Sequence, residues 1–559
     1  MPSDRLIPKF GPWAQMRAGF AWDIPSQLNI AEVCCDRWAR AEPDRVAVRH
    51  IGPPDEVWTY GQLQAASESL AAVLASRGVG RGDRVAILMA QNPRVLVAHL
   101  AAHKLGAVSL PLFTLFGEDA LRYRLADSGA KAVTVDGAVE DKLRAVSDAP
   151  VILSTRKRGA EMSLDEAMVQ APRNFRRAGT DADDPAVMIY TSGTTGDPKG
   201  VLHAHRFLYG HLPCMELSQG GFPQAGDVGW TPADWAWIGG LMDMALPCLF
   251  YGVPLISHRF AKFEPDAAFA LMAREGVTNS FLPPTALRMM QHVRPPHDLR
   301  LRAIGSGGEA LGPDLLDWGR TTLGCPINEF YGQTEANLVI AACDGPTQRH
   351  LGEDPFTERT SGEDLFMKRA SGEDQFIERA SGAMGLPVPG HDVALLGPGD
   401  RPVAQGEVGE ICVKAPDPVM MLRYWNKPEA TANKIRNGWL RTGDLATQTP
   451  DDQFIFHARD DDVITSAGYR IGPVEIEQAL CTHPDVTLAA VVGVPDPLRT
   501  QAIVAHVVLR PGADPSNIED TLKTLVRTKA SAHMVPRQII LAESLPMTTT
   551  GKILRRALR

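Results

Sequence analysis

The pattern of apolar positions predicts helices that alternate with short buried strands. Leu63, Ala66, Leu70 and Leu74 recur at helical spacing, and the continuous apolar run that follows Arg84 is typical of a buried strand. Helices that alternate with such strands indicate an α/β fold, in which largely parallel sheets are covered on both faces.

The C-terminal hundred residues repeat this pattern. Residues 486–494 and 503–509 predict strands, with predicted helices before and after them. A polar, charged stretch at residues 459–462 separates this part from the rest of the chain. The sequence therefore predicts a large domain over residues 1–460 and a small one over residues 461–559.

A short tandem repeat interrupts the globular pattern. Residues 352–360, 361–370 and 371–380 are copies of one motif, and a trace follows at Ser381. Three copies of about ten residues are too short for a solenoid, whose repeats usually run to about 20 residues or more. We expect a tandem duplication that forms a surface excursion over residues 352–380; a tract for binding a protein partner is the alternative.

Composition and charge exclude several classes of protein. The formal net charge of the 559 residues is −9, whereas a protein that binds nucleic acid needs a basic surface. The eight cysteines contain no CxxC pair, which argues against a zinc site or a disulfide framework. The N-terminus has no apolar signal region, and no apolar run is long enough to span a membrane. We therefore expect a cytoplasmic protein, with a mitochondrial address as the alternative.

The most informative segment is a polar loop at residues 190–201. It follows the apolar run 186–189 and is dense in Gly, Ser and Thr. In such a loop, backbone N–H groups and hydroxyls approach phosphate oxygens closely, and Lys199 adds a positive charge. The spacing is not that of a Walker A loop, and no dinucleotide fingerprint occurs. By composition alone, the segment could equally be a flexible turn.

This loop resembles the phosphate loop of the adenylate-forming superfamily, which includes acyl-CoA synthetases, luciferases and peptide-synthetase adenylation domains. Further motifs follow in the order of that family, from about Asn29 to the last residue. The resemblance implies an α/β fold with a large N-terminal domain of mixed and parallel sheets flanked by helices. It also implies a small, mobile α+β C-terminal domain that carries the catalytic lysine.

The resemblance assigns the nucleotide site. Residues 305–311 are similar to the adenine-binding turn, and Asp444 occupies the place of the carboxylate that accepts both ribose hydroxyls. Residues 331–335 match the signature in which Thr334 contacts the α-phosphate and Glu335 holds Mg²⁺. The residues implied in ATP binding are Thr191, Ser192, Gly193, Thr194, Thr195, Lys199, Gly308, Glu309, Ala310, Glu329, Tyr331, Gln333, Asp444, Arg459 and Arg470.

Three C-terminal motifs imply how the reaction is divided into steps. Residues 459–464 are similar to the hinge of the family, with Asp461 as the pivot. Ala467 and Gly468 fall where relatives line the tunnel for the pantetheine arm of coenzyme A. Lys552 matches the adenylation lysine, so the resemblance implies Lys552, Thr334 and Glu335 as catalytic residues.

The acyl pocket is implied by residues 234–240, of which Trp237, Ile238 and Gly239 are assigned to it. Gly332 is assigned to the pocket floor, where acetate-selective relatives carry Trp, and Gly239 replaces a residue that is usually Thr in that subgroup. Two small residues at these points predict an open pocket. We therefore expect a short- or medium-chain, branched or cyclic acid larger than acetate.

The implied activity is an AMP-forming acyl-CoA synthetase that uses ATP, Mg²⁺ and coenzyme A. Alternatives are an adenylation enzyme that loads a carrier protein, an aryl-CoA ligase, and a non-catalytic nucleotide-binding protein. The motif around Lys552 resembles the site at which bacterial relatives are acetylated, so a lysine acetyltransferase and a deacetylase are candidate partners. An oligomer is compatible with the sequence.

Overall fold

The computed structural model of the chain contains three sheets flanked by helices. It describes residues 5–8, 10–149, 151–170, 175–191, 197–309, 311–343, 379–380, 382–459, 462–466, 469–496, 500–548 and 552–559. Most of the repeat, residues 352–378, lies outside this description. Its last two residues, Arg379 and Ala380, lie inside it.

The strands of the described residues are short in the large N-terminal part and longer near the C-terminus. In chain order they are β1 (Val46–His50), β2 (Glu56–Thr59), β3 (Arg84–Leu88), β4 (Val108–Pro111), β5 (Ala132–Val135), β6 (Val151–Ser154), β7 (Pro185–Thr191), β8 (Lys199–Ala204), β9 (Gly229–Trp230), β10 (Leu255–Ser257), β11 (Asn279–Phe281), β12 (Ala303–Gly307), β13 (Ile327–Gln333), β14 (Ala336–Ala342), β15 (Ala383–Pro387), β16 (Val393–Leu396), β17 (Gly409–Lys414), β18 (Arg423–Tyr424), β19 (Ile435–Arg436), β20 (Trp439–Gln448), β21 (Phe454–Arg459), β22 (Ile464–Ser466), β23 (Tyr469–Ile471), β24 (Val486–Asp496), β25 (Thr500–Leu509) and β26 (Gln538–Leu541).

The α-helices connect these strands. They are α1 (Trp13–Gly19), α2 (Arg37–Ala41), α3 (Tyr60–Ser76), α4 (Pro93–Lys104), α5 (Glu118–Ser128), α6 (Glu140–Arg144), α7 (Leu164–Val169), α8 (Phe207–Ser218), α9 (Ile238–Gly240), α10 (Leu246–Tyr251), α11 (Pro265–Glu275), α12 (Pro284–Met290), α13 (Pro313–Trp318), α14 (Pro428–Lys434), α15 (Pro473–Cys481) and α16 (Ile518–Lys529). Helix α3 contains the predicted apolar stripe and begins at a capping box formed by Thr59 and Gln62.

The largest sheet has 14 strands in the order β16-β17-β20-β21-β15-β14-β13-β12-β11-β9-β10-β1-β2, with β19 paired to β20. Its central strands from β1 to β13 run parallel, and the pairs from β13 to β16 are antiparallel. A mixed sheet of this kind brings the carboxyl ends of β12 and β13 side by side.

A second sheet has seven strands in the order β18-β8-β7-β4-β3-β5-β6. Strands β3 to β6 pair in parallel, and β7 and β8 form an antiparallel hairpin. One apolar core joins this sheet to the large one through α3, α4 and α8. The predicted α/β architecture with parallel strands buried on both faces is confirmed.

The third sheet has five strands and belongs to the C-terminal part. Its order is β23-β22-β25-β24, with β26 paired to β25. Helices α15 and α16 pack against it around a separate apolar core. The strands predicted at 486–494 and 503–509 are β24 and β25, which confirms that part of the prediction.

Other sequence-based expectations concern membranes and cysteines. Among the described residues, no helix is both long and apolar enough to cross a bilayer. All eight cysteines lie in described segments and form no disulfide. Burial raises the pKa of the Cys35 thiol to about 12, so it is protonated at neutral pH.

Candidate active site

One cavity of about 1320 Å³ lies between the large N-terminal part and the C-terminal part. It is lined by residues from all three sheets, including the ends of β12 and β13 and the helix α15. It brings together many of the residues assigned from the sequence: Thr191, Lys199, Trp237, Gly308, Glu309, Glu329, Tyr331, Gly332, Gln333, Thr334, Glu335, Asp444, Arg459 and Lys552. These side chains come from segments that are far apart in the chain, so the fold alone makes them neighbours.

Several assigned residues lie outside the described part of the chain. They are Ser192, Gly193, Thr194, Thr195, Ala310, Asp461, Ala467 and Gly468, together with the side chain of Arg470. The flanks of the phosphate loop are described, and Thr191 pairs with Lys199 across the β7–β8 hairpin. Both ends of the loop therefore open into the cavity.

Asp444 is the centre of a buried hydrogen-bond network. The phenol of Tyr331 donates to Oδ2 of Asp444 at 2.5 Å, and Nε2 of Gln333 donates to the same oxygen at 3.2 Å. The register of β20 and β21 places Arg459 opposite Asp444, with its Nε 3.9 Å from Oδ1. Burial raises the pKa of Asp444, and the nearby Arg459 opposes that shift. The carboxylate is thus held in one orientation toward the cavity.

Lys434 also contributes to this network, although no sequence motif indicated it. Its Nζ donates to Oε1 of Gln333 at 2.6 Å and to the carbonyl of Thr442 at 3.1 Å. Burial lowers the pKa of Lys434, while the carboxylates of Glu335 and Asp444 raise it. Because Lys434 occupies the oxygen of the Gln333 amide, the NH₂ group of that amide is left to face Asp444.

Glu335 lies in the turn between β13 and β14 and is 9% exposed. The phenol of Tyr424 donates to its Oε1 at 2.5 Å. Within the described residues, no hydrogen-bond donor is placed on Oε2, so that oxygen can face a cation. A carboxylate oxygen beside a phosphate site fits Mg²⁺, which keeps several of its waters and takes few protein ligands.

Lys552 reaches across from the C-terminal part to the adenine turn. A Cβ atom on Gly308 would lie 3.5 Å from Cε of Lys552 and 3.5 Å from the ring of Trp237. Gly308 has a φ of +96°, a conformation that favours glycine. Burial lowers the pKa of Lys552, and the charges of Glu309 and Asp444 oppose this. Cε of Lys552 and the ring of Trp237 therefore both lie against Gly308.

Hydrogen bonds to Thr548 hold the backbone of Lys552. The amide of Thr548 donates to the carbonyl of Lys552 at 2.7 Å, and the amide of Lys552 donates to Oγ1 of Thr548 at 3.1 Å. Met547 and Ile553 form an antiparallel bridge beside these bonds. Lys552 lines the cavity from this hydrogen-bonded backbone.

Aromatic rings pack together around Trp237, which the resemblance assigns to the acyl pocket. The centroids of Trp237 and Phe281 are 5.5 Å apart, and those of Phe281 and Phe330 are 5.7 Å apart. Trp237 and Phe330 line the cavity, whereas the assigned residues Ile238 and Gly239 are buried and do not line it. The sequence identified Trp237 but missed both phenylalanines, which have no distinctive motif.

No free space lies where a side chain at Gly239 or Gly332 would begin, which differs from the expectation that these glycines open the pocket. A Cβ atom on Gly239 would lie 2.8 Å from the rings of Phe281 and Trp237. A Cβ atom on Gly332 would lie 2.5 Å from the amide nitrogen of Leu338 and 2.6 Å from Cα of Asn337. Aromatic rings and the backbone of β14 already occupy the space next to these two glycines.

Two family models and a curated relative match most of the chain. The family model described as AMP-binding enzyme matches residues 35–425, and the model described as AMP-binding enzyme C-terminal domain matches residues 475–552. The chain is 30% identical to the acetyl-coenzyme A synthetase of Bacillus subtilis (strain 168), over 98% of this chain and 93% of that protein.

Solved structures of acyl-CoA synthetases and ligases are also similar to this chain. The crystal structure of a Brucella canis acyl-CoA synthetase is 31% identical, with a TM-score of 0.71, and the match covers 98% of both chains. A benzoate CoA ligase from Burkholderia xenovorans LB400 is 26% identical, with a TM-score of 0.79, and the match covers 95% of this chain and 99% of that one.

Proposed function

Because this chain belongs to the AMP-binding enzyme family and is an AMP-forming acyl-CoA synthetase, we propose that it activates an apolar carboxylic acid larger than acetate in two steps at this cavity. In the first step, the carboxylate attacks the α-phosphorus of ATP and pyrophosphate leaves. In the second, the thiol of coenzyme A attacks the acyl carbon and AMP leaves. The observation that carries the proposal is the position of Lys552, which lies together with Trp237 against Gly308 of the adenine turn.

Adenylation requires positioning and neutralisation of charge more than proton transfer. A carboxylate is already ionised at pH 7, so no general base is needed. An ammonium group between the two half-sites can bridge an oxygen of the acid and an oxygen of the α-phosphate, which aligns them for in-line attack. We assign this role to Lys552, and we assign Thr334 to the α-phosphate.

Glu335 is our candidate for the Mg²⁺ ligand. Bound there, the ion would offset charge on the departing pyrophosphate. The role of the protein is to keep one oxygen of this buried carboxylate available, and the hydrogen bond from Tyr424 to the other oxygen supports that role. Lys199, at the end of the phosphate loop, adds a second positive charge on the same side of the cavity.

The ribose subsite follows from the Asp444 network. A carboxylate held by Tyr331 and Gln333 keeps acceptor capacity for two hydroxyl donors. Arg459 lies beside it and supplies a positive charge toward the phosphates. Glu309 and Glu329, at the adenine turn, are our candidates for contacts with the base.

The second step needs a rearrangement in which Lys552 leaves the cavity. The break between the large sheet and the third sheet falls between Arg459 and Ile464, which supports a hinge at Asp461 and a boundary between domains 1–460 and 461–559. Rotation there would bring Ala467 and Gly468 to the tunnel for coenzyme A. These assignments rest on the resemblance, because both tunnel residues lie outside the described part of the chain.

The aromatic wall supports an apolar substrate. Each methylene that finds apolar contact contributes about 0.8 kcal/mol, so two extra carbons favour the longer acid by about tenfold. We propose a short- or medium-chain, branched or cyclic acid. An aromatic acid is the second candidate, because benzoate is named as the substrate of a related ligase and the rings of Trp237 and Phe330 line the cavity.

A panel of acids tests this proposal. AMP release is measured with acetate, butyrate, hexanoate, a branched acid, cyclohexanecarboxylate and benzoate, each with and without coenzyme A. We expect the acids of about four or more carbons to exceed acetate and AMP release to require coenzyme A. The result that would overturn the substrate proposal is acetate as the fastest acid. Turnover only with a carrier protein would favour the carrier-loading alternative.

Acetylation of Lys552 is a further part of the proposal. It would remove the charge that bridges the two half-sites and would therefore stop adenylation. Mass spectrometry of the protein from its native host, grown on different carbon sources, checks this. A lysine that is never modified under any of these conditions would contradict it.

A further inference from the structure

The carboxyl end of the repeat contacts the nucleotide site. Nη2 of Arg379, in the third copy, donates to Oε2 of Glu329, and its Nε donates to the carbonyl of Ala383 at 2.6 Å. The amide of Ala380 donates to Oε1 of the buried Gln453 at 3.0 Å. Hydrogen bonds thus hold the chain in place at the point where the repeat ends and β15 begins.

Glu329 connects this anchor to the adenine turn. It is 5% exposed, and its Oε1 accepts from the amide of Leu311 at 3.3 Å. The same residue lines the cavity beside Gly308 and Glu309. Each carboxylate oxygen has two lone pairs and accepts one of these hydrogen bonds, so each oxygen keeps capacity for one more donor.

We propose that Arg379 is a positioning residue that orients the Glu329 carboxylate as an acceptor for the 6-amino group of adenine. This inference rests on the proposed function, because it takes the cavity to be the ATP site. Burial raises the pKa of Glu329 and the charge of Arg379 lowers it, so the guanidinium also favours the ionised acceptor. The end of the repeat thereby takes part in the choice of nucleobase.

The repeat contains spare copies of this anchor. Arg359 and Arg369 hold the position of Arg379 in the first and second copies. Deletion of residues 371–380 joins Arg369-Ala370 directly to Ser381, which restores the local sequence of the anchor. The deletion removes the original arginine and supplies another in the same register.

The first experiment compares two nucleotides. ATP and purine riboside 5′-triphosphate, which lacks the 6-amino group, are assayed with wild type, Arg379→Met, Arg379→Lys and the exposed control Arg401→Met. In Arg379→Met we expect the KM for ATP to rise about tenfold with kcat within about twofold, and the KM for the analogue to change by less than about twofold. Arg379→Lys is expected to recover part of the loss, and Arg401→Met to match wild type.

The second experiment keeps the proposal testable if Arg379→Met fails to fold, which a thermal melting curve would detect. Deletion of residues 371–380 should keep the ATP preference of wild type, and the same deletion with Arg369→Met should lose it. Equal behaviour of the two deletions would overturn the proposal, as would equal effects of Arg379→Met on both nucleotides. The proposal would also be overturned if the wild type used both nucleotides equally while it still synthesised acyl-CoA. The proposed function itself fails only if wild type releases no AMP from ATP.

Discussion

The nucleotide side and the acyl side of the cavity are built from different interactions. On the nucleotide side, Tyr331, Gln333 and Lys434 form a chain of directed hydrogen bonds that ends on the Asp444 carboxylate. On the acyl side, Trp237 and Phe330 present ring surfaces. Directed bonds need particular polar atoms, whereas an apolar wall can be built from many combinations of residues. Sequence motifs therefore identify the proposed nucleotide side well and the proposed acyl side poorly.

Lys552 lies where the two sides meet, so its removal should have the largest effect. Lys552→Ala is expected to reduce acid-dependent pyrophosphate exchange by about a hundredfold or more, because it removes a charge that acts on the transition state. It should still convert a supplied acyl-adenylate to the thioester. Gly468→Leu should show the reverse pattern. Equal loss of both half-reactions in either variant would contradict the separation of steps.

Substitution of Gly332 tests whether the acyl side of the cavity has free space beside this residue. Gly332→Trp should impair every acid in the panel by more than about tenfold, acetate included, because its Cβ meets the backbone of residues 337–338. That backbone cannot move freely, since Asn337 donates to the buried Asp243 at 2.7 Å. Gly332→Ala is the matched control and should show a smaller loss that is equally unselective. A Trp variant that gains activity on acetate would show that the floor is open after all.

Lys434 tests the nucleotide side alone. Lys434→Met should raise the KM for ATP about tenfold, because a hydrogen bond from a charged donor contributes about 1.5–3 kcal/mol and its loss lets the Gln333 amide turn away from Asp444. The ranking of acids should not change. Lys434→Arg, which keeps the charge, should be milder. A changed acid preference in Lys434→Met would mean that the two sides are coupled.

The smallest effect is expected from a shorter repeat. Deletion of residues 361–370 leaves Arg379 in place, and loop closure costs only about 0.6 kcal/mol per doubling of length. Both kcat and the melting temperature should stay close to those of wild type, as activity assays and calorimetry can check. A large loss of either would indicate that the second copy packs against the protein or serves a partner.

Much of the fold and of the nucleotide site could be predicted from the sequence. The apolar periodicity of residues 63–74 predicted α3, and the strands near 486 and 503 were found as β24 and β25. Asp444 and Lys552 were assigned by motifs, and both line the cavity. The acyl side could not be predicted in this way, because the space beside Gly239 depends on Phe281, from another strand, and the space beside Gly332 depends on how β14 folds back on β13.

The sequence by itself determined the family, the chemistry of activation and the local motifs. Each of these is contained in a contiguous segment, such as residues 190–201 or 331–335, so it can be recognised without knowledge of the fold. The tertiary structure alone decided that Lys434 holds Gln333, that Arg379 holds Glu329 and that the backbone of β14 fills the space beside Gly332. The first two contacts join residues that are 101 and 50 positions apart in the chain. The third contact crosses the turn between β13 and β14, where a bulge sets the register of the two strands. Packing between distant segments is a property of the whole fold, so no local pattern contains it.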